Sequence, residues 1–168
     1  MKLAVIFSGG KDSTYALYTV LKEGHEGEYL LTMKPERKDS WMFHHPVVDM
    51  TQLQAASLGI KQIIKKTGGE KERELGDLRA VIESVKGDVD GIVSGALASN
   101  YQRSRIDTIC KELGLKSIAP LWNTDPEKHW DNLLENGFKV MITAVACEGL
   151  DMSWLGRIVD RKNLEALK

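Results

Sequence analysis

Short apolar runs alternate with longer amphipathic stretches along the whole chain. This alternation is typical of βαβ units, in which parallel strands form a sheet that helices cover. The apolar runs predict six strands, at approximately residues 2–7, 28–33, 62–66, 90–94, 116–119 and 138–146. We therefore expect an α/β fold with a doubly wound, mainly parallel sheet of five to six strands and helices on both faces.

Amphipathic segments between these strands predict the helices, because their apolar residues recur at helical spacing. They cover approximately residues 12–23, 49–58, 71–86, 100–113 and 126–136. Asp49 is placed to cap the second helix, and Thr124 with Glu127 forms a capping box at the start of the fifth. Glycines follow the first, second and fifth helices, as expected for C-terminal caps, at Gly24, Gly59 and Gly137.

Composition narrows the classes of function. The 168 residues, 42% of them apolar, suit one domain with a sizeable core. Lys and Arg total 23 and Asp and Glu total 24, so no overall field attracts nucleic acid or an anionic membrane, and we expect neither as a direct partner. No apolar run is long enough to cross a bilayer, and the N-terminal run is too short for a signal peptide. We expect a cytoplasmic protein.

Neither the cysteines nor the loop histidines predict a metal site. Cys110 and Cys147 have no CxxC spacing or Cys/His cluster around them, which favours small buried thiols. His44 and His45 lack a third ligand at a suitable spacing. The aromatic residues of segment 34–46 are compatible with a lid or contact surface, and equally with a loop that packs onto the core.

The first predicted strand runs directly into a glycine-containing loop that opens the first helix. Its residues are Ser8, Gly9, Gly10, Lys11, Asp12 and Ser13. The glycine pair permits a tight turn and close backbone approach, while the amides at a helix N-terminus favour phosphate. Lys11 adds a positive charge, the two serines offer hydroxyl groups, and Asp12 is a candidate Mg²⁺ ligand or helix cap. Such a turn can also be purely structural, but its place between strand and helix favours anion binding. The spacing is not that of a Walker A loop.

This loop is similar to the PP-loop of the ATP pyrophosphatases. The resemblance implies that an acceptor oxygen attacks the α-phosphate of ATP, so that pyrophosphate leaves and an adenylate remains. It implies ATP and Mg²⁺ as cofactors and an adenine nucleotide alpha hydrolase-like, HUP-type fold. We expect residues 1–168 to form a single PP-loop ATP-binding domain.

Five further sequence stretches indicate which family of ATP pyrophosphatases the chain resembles. They are Val-Ser-Gly-Ala at 93–96, Ser-Asn-Tyr-Gln-Arg-Ser-Arg at 99–105, Pro-Leu-Trp at 120–122, Glu-Gly-Leu-Asp at 148–151 and Leu-Gly-Arg at 155–157. Together they resemble the diphthine-ammonia ligase family over nearly the whole chain. This implies the amidation of diphthine, the modified histidine of translation elongation factor 2, with ATP and ammonium. The partners implied are that elongation factor and ammonium. Whether the chain forms a homodimer is left open. The family usually continues into a C-terminal segment rich in Gly and Glu, which we expect to be missing after Lys168.

The family resemblance also implies roles for residues outside the loop. Arg105 is expected on the α-phosphate, and Lys11, Arg105 and Glu148 form the predicted catalytic set. A backbone group at Met33 is expected to read adenine, with Gly95 also beside the nucleotide. The residues expected to bind the acceptor substrate are Tyr101, Gln102, Arg103 and Asp151.

Each of these roles has a structural alternative. The side chains of Arg103 and Arg105 lie two positions apart and do not share one helical face, so either is compatible with a solvated surface. Gly95 is compatible with a packing role, and Asp151 with a helix cap in place of an ammonium contact. For the whole chain, the alternatives are a tRNA-modifying PP-loop enzyme and a non-catalytic domain that binds or senses adenine nucleotides.

Overall fold

A parallel sheet organises the N-terminal part of the chain. The computed structural model describes residues 1–35, 48–68, 71–146 and 149–167. Within these ranges the sheet has five strands, in the order β3-β2-β1-β4-β5. They are β1 (Lys2–Ile6), β2 (Glu26–Pro35), β3 (Lys61–Thr67), β4 (Gly91–Val93) and β5 (Lys116–Ile118). All neighbours are parallel, and the chain winds first to one side of β1 and then to the other. The order of the strands therefore reverses at β1, as in doubly wound folds.

Among the described residues, five helices lie close to their predicted positions, and a sixth, short helix near the end of the chain was not predicted. They are α1 (Lys11–Lys22), α2 (Thr51–Leu58), α3 (Lys71–Glu83), α4 (Asn100–Leu113), α5 (Pro126–Glu135) and α6 (Arg161–Leu164). Gly59 and Gly114 end α2 and α4 with left-handed φ angles of 67° and 73°, a conformation that glycine adopts without strain. The predicted α/β class, with helices between parallel strands, is confirmed.

The core lies on both faces of the sheet. On one face, Ala4, Leu31 and Ile92 belong to a buried cluster with apolar residues of α3 and α4. Strand side chains alternate between faces, so Leu3 and Val5, both fully buried, lie on the other. There α1 packs against β1 and β2. The sheet is therefore held between two helical layers.

The prediction of a sixth strand at 138–146 was wrong in length and in place. In the described part of the chain this region contains only the strand Val140–Met141 (β6), which pairs antiparallel with Ile158–Val159 (β7) in a separate sheet. The apolar run resembled a strand buried on both faces of a parallel sheet. However, Met141 is 53% exposed, so the run is not a central strand.

Two predicted helix caps were also wrong. Asp49 lies in a 3-10 turn, Val48–Met50, and its carboxylate pairs with the Lys34 ammonium group instead of capping α2. At α5 the capping residue is Asp125, whose carboxylate accepts hydrogen bonds from the Glu127 and Lys128 amides at 3.0 and 3.1 Å. Both Thr124 and Asp125 are capping residue types, so the sequence did not distinguish the two positions.

The chain divides into two compact units, Met1–Asn123 and Thr124–Lys168. The first contains the parallel sheet. The second contains α5, the β6-β7 pair and α6, with Leu133 fully buried. That residues 1–168 act as one ATP-binding domain stays a prediction. Across the described ranges, no helix is both long and apolar enough to cross a membrane.

We expect Leu31→Ala to lower the free energy of unfolding by about 2–5 kcal/mol, because it leaves a cavity in the core beside β2. Leu31 is fully buried. Leu53→Ala is the matched control, since that leucine is 65% exposed, and it should change stability by less than about 0.5 kcal/mol. Urea unfolding measures both, and equal losses would contradict the assigned core.

Candidate functional site

A cavity of about 320 Å³ opens where β1, β2 and β4 end. This edge, beside the reversal in strand order, is where doubly wound sheets bind ligands. The residues that line the cavity are Ile6, Phe7, Ser8, Asp12, Ser13, Met33, Leu78, Ser94, Gly95, Ala96, Leu97, Ala98, Ser99, Gln102 and Ile106. All of them belong to the first compact unit.

The loop between β1 and α1 is closed by its serine hydroxyls. The Ser8 amide donates to Ser13 Oγ at 3.3 Å, and the two hydroxyl oxygens lie 3.2 Å apart. Ser13 Oγ also donates to the Gly10 carbonyl at 3.2 Å. These short-range bonds hold the ends of the loop together before any ligand arrives. Both serines line the cavity, and their contact with phosphate stays a prediction.

Gly9 occupies a position that other residues would fill with difficulty. Its φ angle is 73°, in the left-handed region. A Cβ atom there would lie 2.4 Å from Gln54 Oε1 and 2.8 Å from Thr51 Cγ2. Gly10 then caps α1 without a side-chain hydrogen bond. The start of α1 thus keeps the partial positive charge and the amides that favour a bound anion.

Lys11 and Asp12 form an ion pair at the start of α1. Lys11 Nζ lies 2.9 Å from each carboxylate oxygen, and both side chains are about one-third exposed, at 28% and 32%. Carboxylate and hydroxyl oxygens are the ligands that Mg²⁺ prefers. Within the described ranges, no three His, Cys, Asp or Glu side chains form a metal-binding group. Asp12 supplies one carboxylate on the cavity wall, and Lys11 now occupies both of its oxygens. That Asp12 holds Mg²⁺ stays a prediction.

The segment after β4 approaches the same loop through its backbone. A Cβ atom on Gly95 would lie 2.8 Å from both Asp12 C and Ser13 N. The Ser94 amide donates to the Ile118 carbonyl at 2.9 Å, which ties this turn to β5. Gly95 is therefore required for packing against α1, and it also lines the cavity. The packing role is confirmed, and the contact of Gly95 with a nucleotide stays a prediction.

The face of α4 toward the cavity is made by Gln102 and Ile106. Ser99 caps this helix by accepting a hydrogen bond from the Gln102 amide at 3.3 Å. Tyr101 and the two arginines are absent from the lining. Among the predicted residues, the cavity wall brings together Ser8, Asp12, Ser13, Met33, Gly95 and Gln102.

Both predicted arginines stack on aromatic rings. The Arg103 guanidinium carbon lies 4.4 Å from the centre of the Trp122 ring, and Nε lies 3.5 Å from the Asp107 carboxylate. The Arg105 guanidinium carbon lies 3.5 Å from the centre of the Tyr101 ring, and its Nη1 donates to the Tyr101 carbonyl at 3.4 Å. Cation-π contacts of this kind fix the direction of a guanidinium group. The ligand roles of Tyr101, Arg103 and Arg105 stay predictions.

Two predicted residues lie further along the chain. Glu148 is outside the described residues, as are His44, His45 and Cys147. Asp151 is exposed and caps the 3-10 helix Met152–Trp154, accepting a hydrogen bond from the Ser153 amide at 2.8 Å. Hydrogen bonds from the Ser153 side chain and amide lower the pKa of Asp151 below its ordinary value. Asp151 is therefore a helix cap, and its contact with substrate stays a prediction.

A polar network behind the loop was missed from the sequence. Thr32 Oγ1 donates to the Phe7 carbonyl at 2.8 Å, and Gln62 Nε2 donates to Thr32 Oγ1 and to Thr51 Oγ1, each at 2.8 Å. Beside it, Gln54 Nε2 donates to the Gly9 carbonyl at 3.1 Å. Thr32 is the residue from which the sequence could have indicated this network, because it is a hydroxyl residue inside an otherwise apolar strand segment.

Two family models match this chain. The N-terminal domain of diphthamide synthase matches residues 1–117, and the C-terminal domain of diphthamide synthase matches residues 125–168. The chain belongs to the diphthamide synthase family. The boundary between the two matched domains agrees with the division into compact units, and the family predicted from the loop and the later stretches is confirmed.

Members of the diphthamide synthase family are similar over most of this chain. The diphthine-ammonia ligase of Homo sapiens is 30% identical over 96% of the chain and 68% of its own length. The ligase of Schizosaccharomyces pombe is 32% identical over 94% of the chain. That of Mus musculus is 28% identical over 90%. The chain spans only 29% of the yeast protein and 64% of the mouse protein.

Two solved structures share the fold. One is described as a predicted subunit of tRNA methyltransferase from Methanocaldococcus jannaschii, with a TM-score of 0.56 and 18% identity over 83% of this chain and 78% of that one. The other is the U34-tRNA thiolase NcsA from Methanococcus maripaludis, with a TM-score of 0.52 and 14% identity over 92% of this chain and 62% of that one. At these identities the likeness concerns the fold alone.

We expect Gly95→Ala to lower the free energy of unfolding by about 1–3 kcal/mol, because the added methyl group meets the backbone of α1. Gly76→Ala is the matched control: Gly76 lies within α3, and no atom lies within 4 Å of its added Cβ. That variant should gain about 0.5–1 kcal/mol from helix propensity. Thermal and urea unfolding measure both, and an unchanged Gly95→Ala stability would contradict the close approach.

Proposed function

We propose that this chain amidates diphthine on translation elongation factor 2 with ATP and ammonium, giving diphthamide, AMP and pyrophosphate through an acyl-adenylate. The observation that carries the proposal is the loop from Ser8 to Ser13, whose glycine backbone opens beside the cavity in a member of the diphthamide synthase family. The names of the relatives supply the acceptor and the nitrogen donor.

The site is suited to ATP in two respects. The start of α1, with Lys11 beside it, provides positive charge for the β- and γ-phosphates. The cavity next to it has apolar walls at Met33, Leu78 and Ile106, which suit an adenine ring. Met33 lies near the carboxyl end of β2, beyond the last β2 residue that pairs with β1, and this position supports backbone recognition of adenine. Mg²⁺ held by Asp12 would neutralise phosphate charge.

The first proposed step forms the adenylate. A carboxylate oxygen of diphthine attacks the α-phosphorus of ATP, the bond from that phosphorus to the bridging α–β oxygen breaks, and pyrophosphate leaves with the electron pair. Negative charge develops on the departing β-phosphate. The amides at the start of α1 stabilise that charge, since they are already oriented before reaction. Lys11 is held beside them by Asp12 and is proposed to turn from that carboxylate to the departing phosphate. Arg105 is proposed to hold the α-phosphate.

In the second step ammonia attacks the acyl carbon, and AMP leaves with the electron pair of the acyl-oxygen bond. Ammonium first loses a proton to solvent water to become the nucleophile ammonia, and the attacking nitrogen loses a second proton to water as the amide forms. Glu148 is proposed to orient the ammonium ion, and Asp151, Tyr101, Gln102 and Arg103 to contact the diphthine-bearing substrate. The elongation factor is thus the proposed protein partner, and we propose that the reaction takes place in the cytoplasm.

We expect Lys11→Ala to lower the rate of diphthamide formation at least a hundredfold, because a preorganised charge on the leaving phosphates is lost. The assay combines the protein with diphthine-bearing elongation factor, ATP and ammonium, and measures diphthamide, AMP and pyrophosphate. Lys22→Ala, at the exposed end of the same helix, should keep full activity. Formation of ADP in place of AMP by the unaltered protein would overturn the proposed chemistry.

Cysteine substitution separates this proposal from a tRNA-thiolating enzyme, which would need a reactive thiol. Burial raises the pKa of Cys110 to about 11, so its thiol is protonated at neutral pH and is a poor nucleophile. We expect the double variant Cys110→Ala, Cys147→Ser to form diphthamide within about twofold of the normal rate. A much larger loss, with unfolding behaviour unchanged, would show that a thiol takes part in the reaction.

A further inference from the structure

We propose that Gln54 is a positioning residue for the phosphate loop: its side-chain amide holds the peptide between Gly9 and Gly10 in the orientation that phosphate binding requires. The inference rests on the proposed use of ATP. Gln54 lies on α2, far from the loop in sequence, and its Nε2 donates to the Gly9 carbonyl at 3.1 Å.

The effect on the loop follows from the planarity of the peptide bond. The Gly9 carbonyl oxygen and the Gly10 N–H belong to one peptide plane and point in opposite directions. A hydrogen bond that fixes the carbonyl toward α2 therefore turns the Gly10 N–H away from α2. Neither glycine has a side chain to restrict rotation of this peptide. Within the loop, the Gly10 N–H donates to Ser8 Oγ at 3.4 Å, which is a long hydrogen bond. The shorter Gln54 bond holds the carbonyl side of the same peptide from another helix.

The Gln54 side chain packs directly against Gly9. The position of a Cβ atom on Gly9 lies 2.4 Å from Gln54 Oε1, so the glutamine amide fits directly against the glycine. Gln54 is half-buried, in contrast to its exposed neighbours Gln52 and Leu53. The Gln54 side chain thus occupies the space that the missing Gly9 side chain leaves.

The helix that carries Gln54 is itself fixed to the sheet. Thr51, fully buried at the start of α2, accepts a hydrogen bond from Gln62 Nε2 on β3, and the same amide donates to Thr32 Oγ1 on β2. Thr32 in turn donates to the carbonyl of Phe7, just before the loop. One polar network therefore holds both α2 and the strand end, so that Gln54 meets the loop from a rigid position.

The test replaces Gln54 with methionine, which has a similar length but no amide group. Titration calorimetry measures the binding of ATP with Mg²⁺ and, separately, of adenosine, which has no phosphates. We expect Gln54→Met to weaken ATP binding about five- to tenfold and to leave adenosine binding unchanged, since one hydrogen bond that orients the phosphate loop is lost. Gln52→Met, the same substitution at an exposed position of α2, should bind both ligands as the unaltered protein does.

The outcomes separate this inference from the proposed function. If the unaltered protein binds ATP and Gln54→Met binds it equally well, Gln54 does not position the loop. Equal weakening of ATP and adenosine binding would also overturn the inference, because it would show a general disturbance of the site. If the unaltered protein binds no ATP, the proposed function itself fails. Gln54→Glu adds a further check: it should weaken ATP binding more than Gln54→Met, because its carboxylate also repels phosphate.

Discussion

The close packing against two glycine positions around the loop from Ser8 to Ser13 is the constraint on which the site depends. Gly9 meets α2 on one side, and Gly95 meets the first turn of α1 on another. Both contacts exclude a Cβ atom. At Gly9 the space is filled by side chains of α2, and at Gly95 the turn after β4 meets the backbone of α1 directly. The cavity lies where the loop, the start of α1 and the turn after β4 meet, and residues of all three line it.

The charges around this loop are the reason for proposing an anion as the ligand. A helix N-terminus without a side-chain cap keeps its partial positive charge for a ligand. The serine hydroxyls close the loop through their own hydrogen bonds, and the Lys11–Asp12 ion pair places both signs of charge at its rim. A negatively charged ligand that carries a bound cation can pair with both Lys11 and Asp12. ATP usually reacts in this form, as its Mg²⁺ complex.

The parallel sheet, its four flanking helices and the phosphate loop could be predicted from sequence, because each depends on local pattern. Strands of apolar residues, helical spacing and a glycine pair between them all follow from short-range rules. The failure at residues 138–146 has a physical reason: apolar content does not show whether a strand is buried on both faces. Val140–Met141 instead pairs at the edge of a small sheet that leaves Met141 largely exposed.

The residues of the candidate site were predictable where neighbours in sequence are also neighbours in space, or where the sheet topology or the family resemblance pointed to them. Ser8, Asp12 and Ser13 line the cavity, and Gly95 and Gln102 were found through the sheet-edge rule and the family resemblance. The positions of the arginines depend on which ring each one meets, and Tyr101 and Trp122 decide this through tertiary contacts. The contact of Gln54 with the loop was not predicted for a similar reason. Its partner is a backbone carbonyl, a group that every residue carries, so no residue type marks the contact in the sequence.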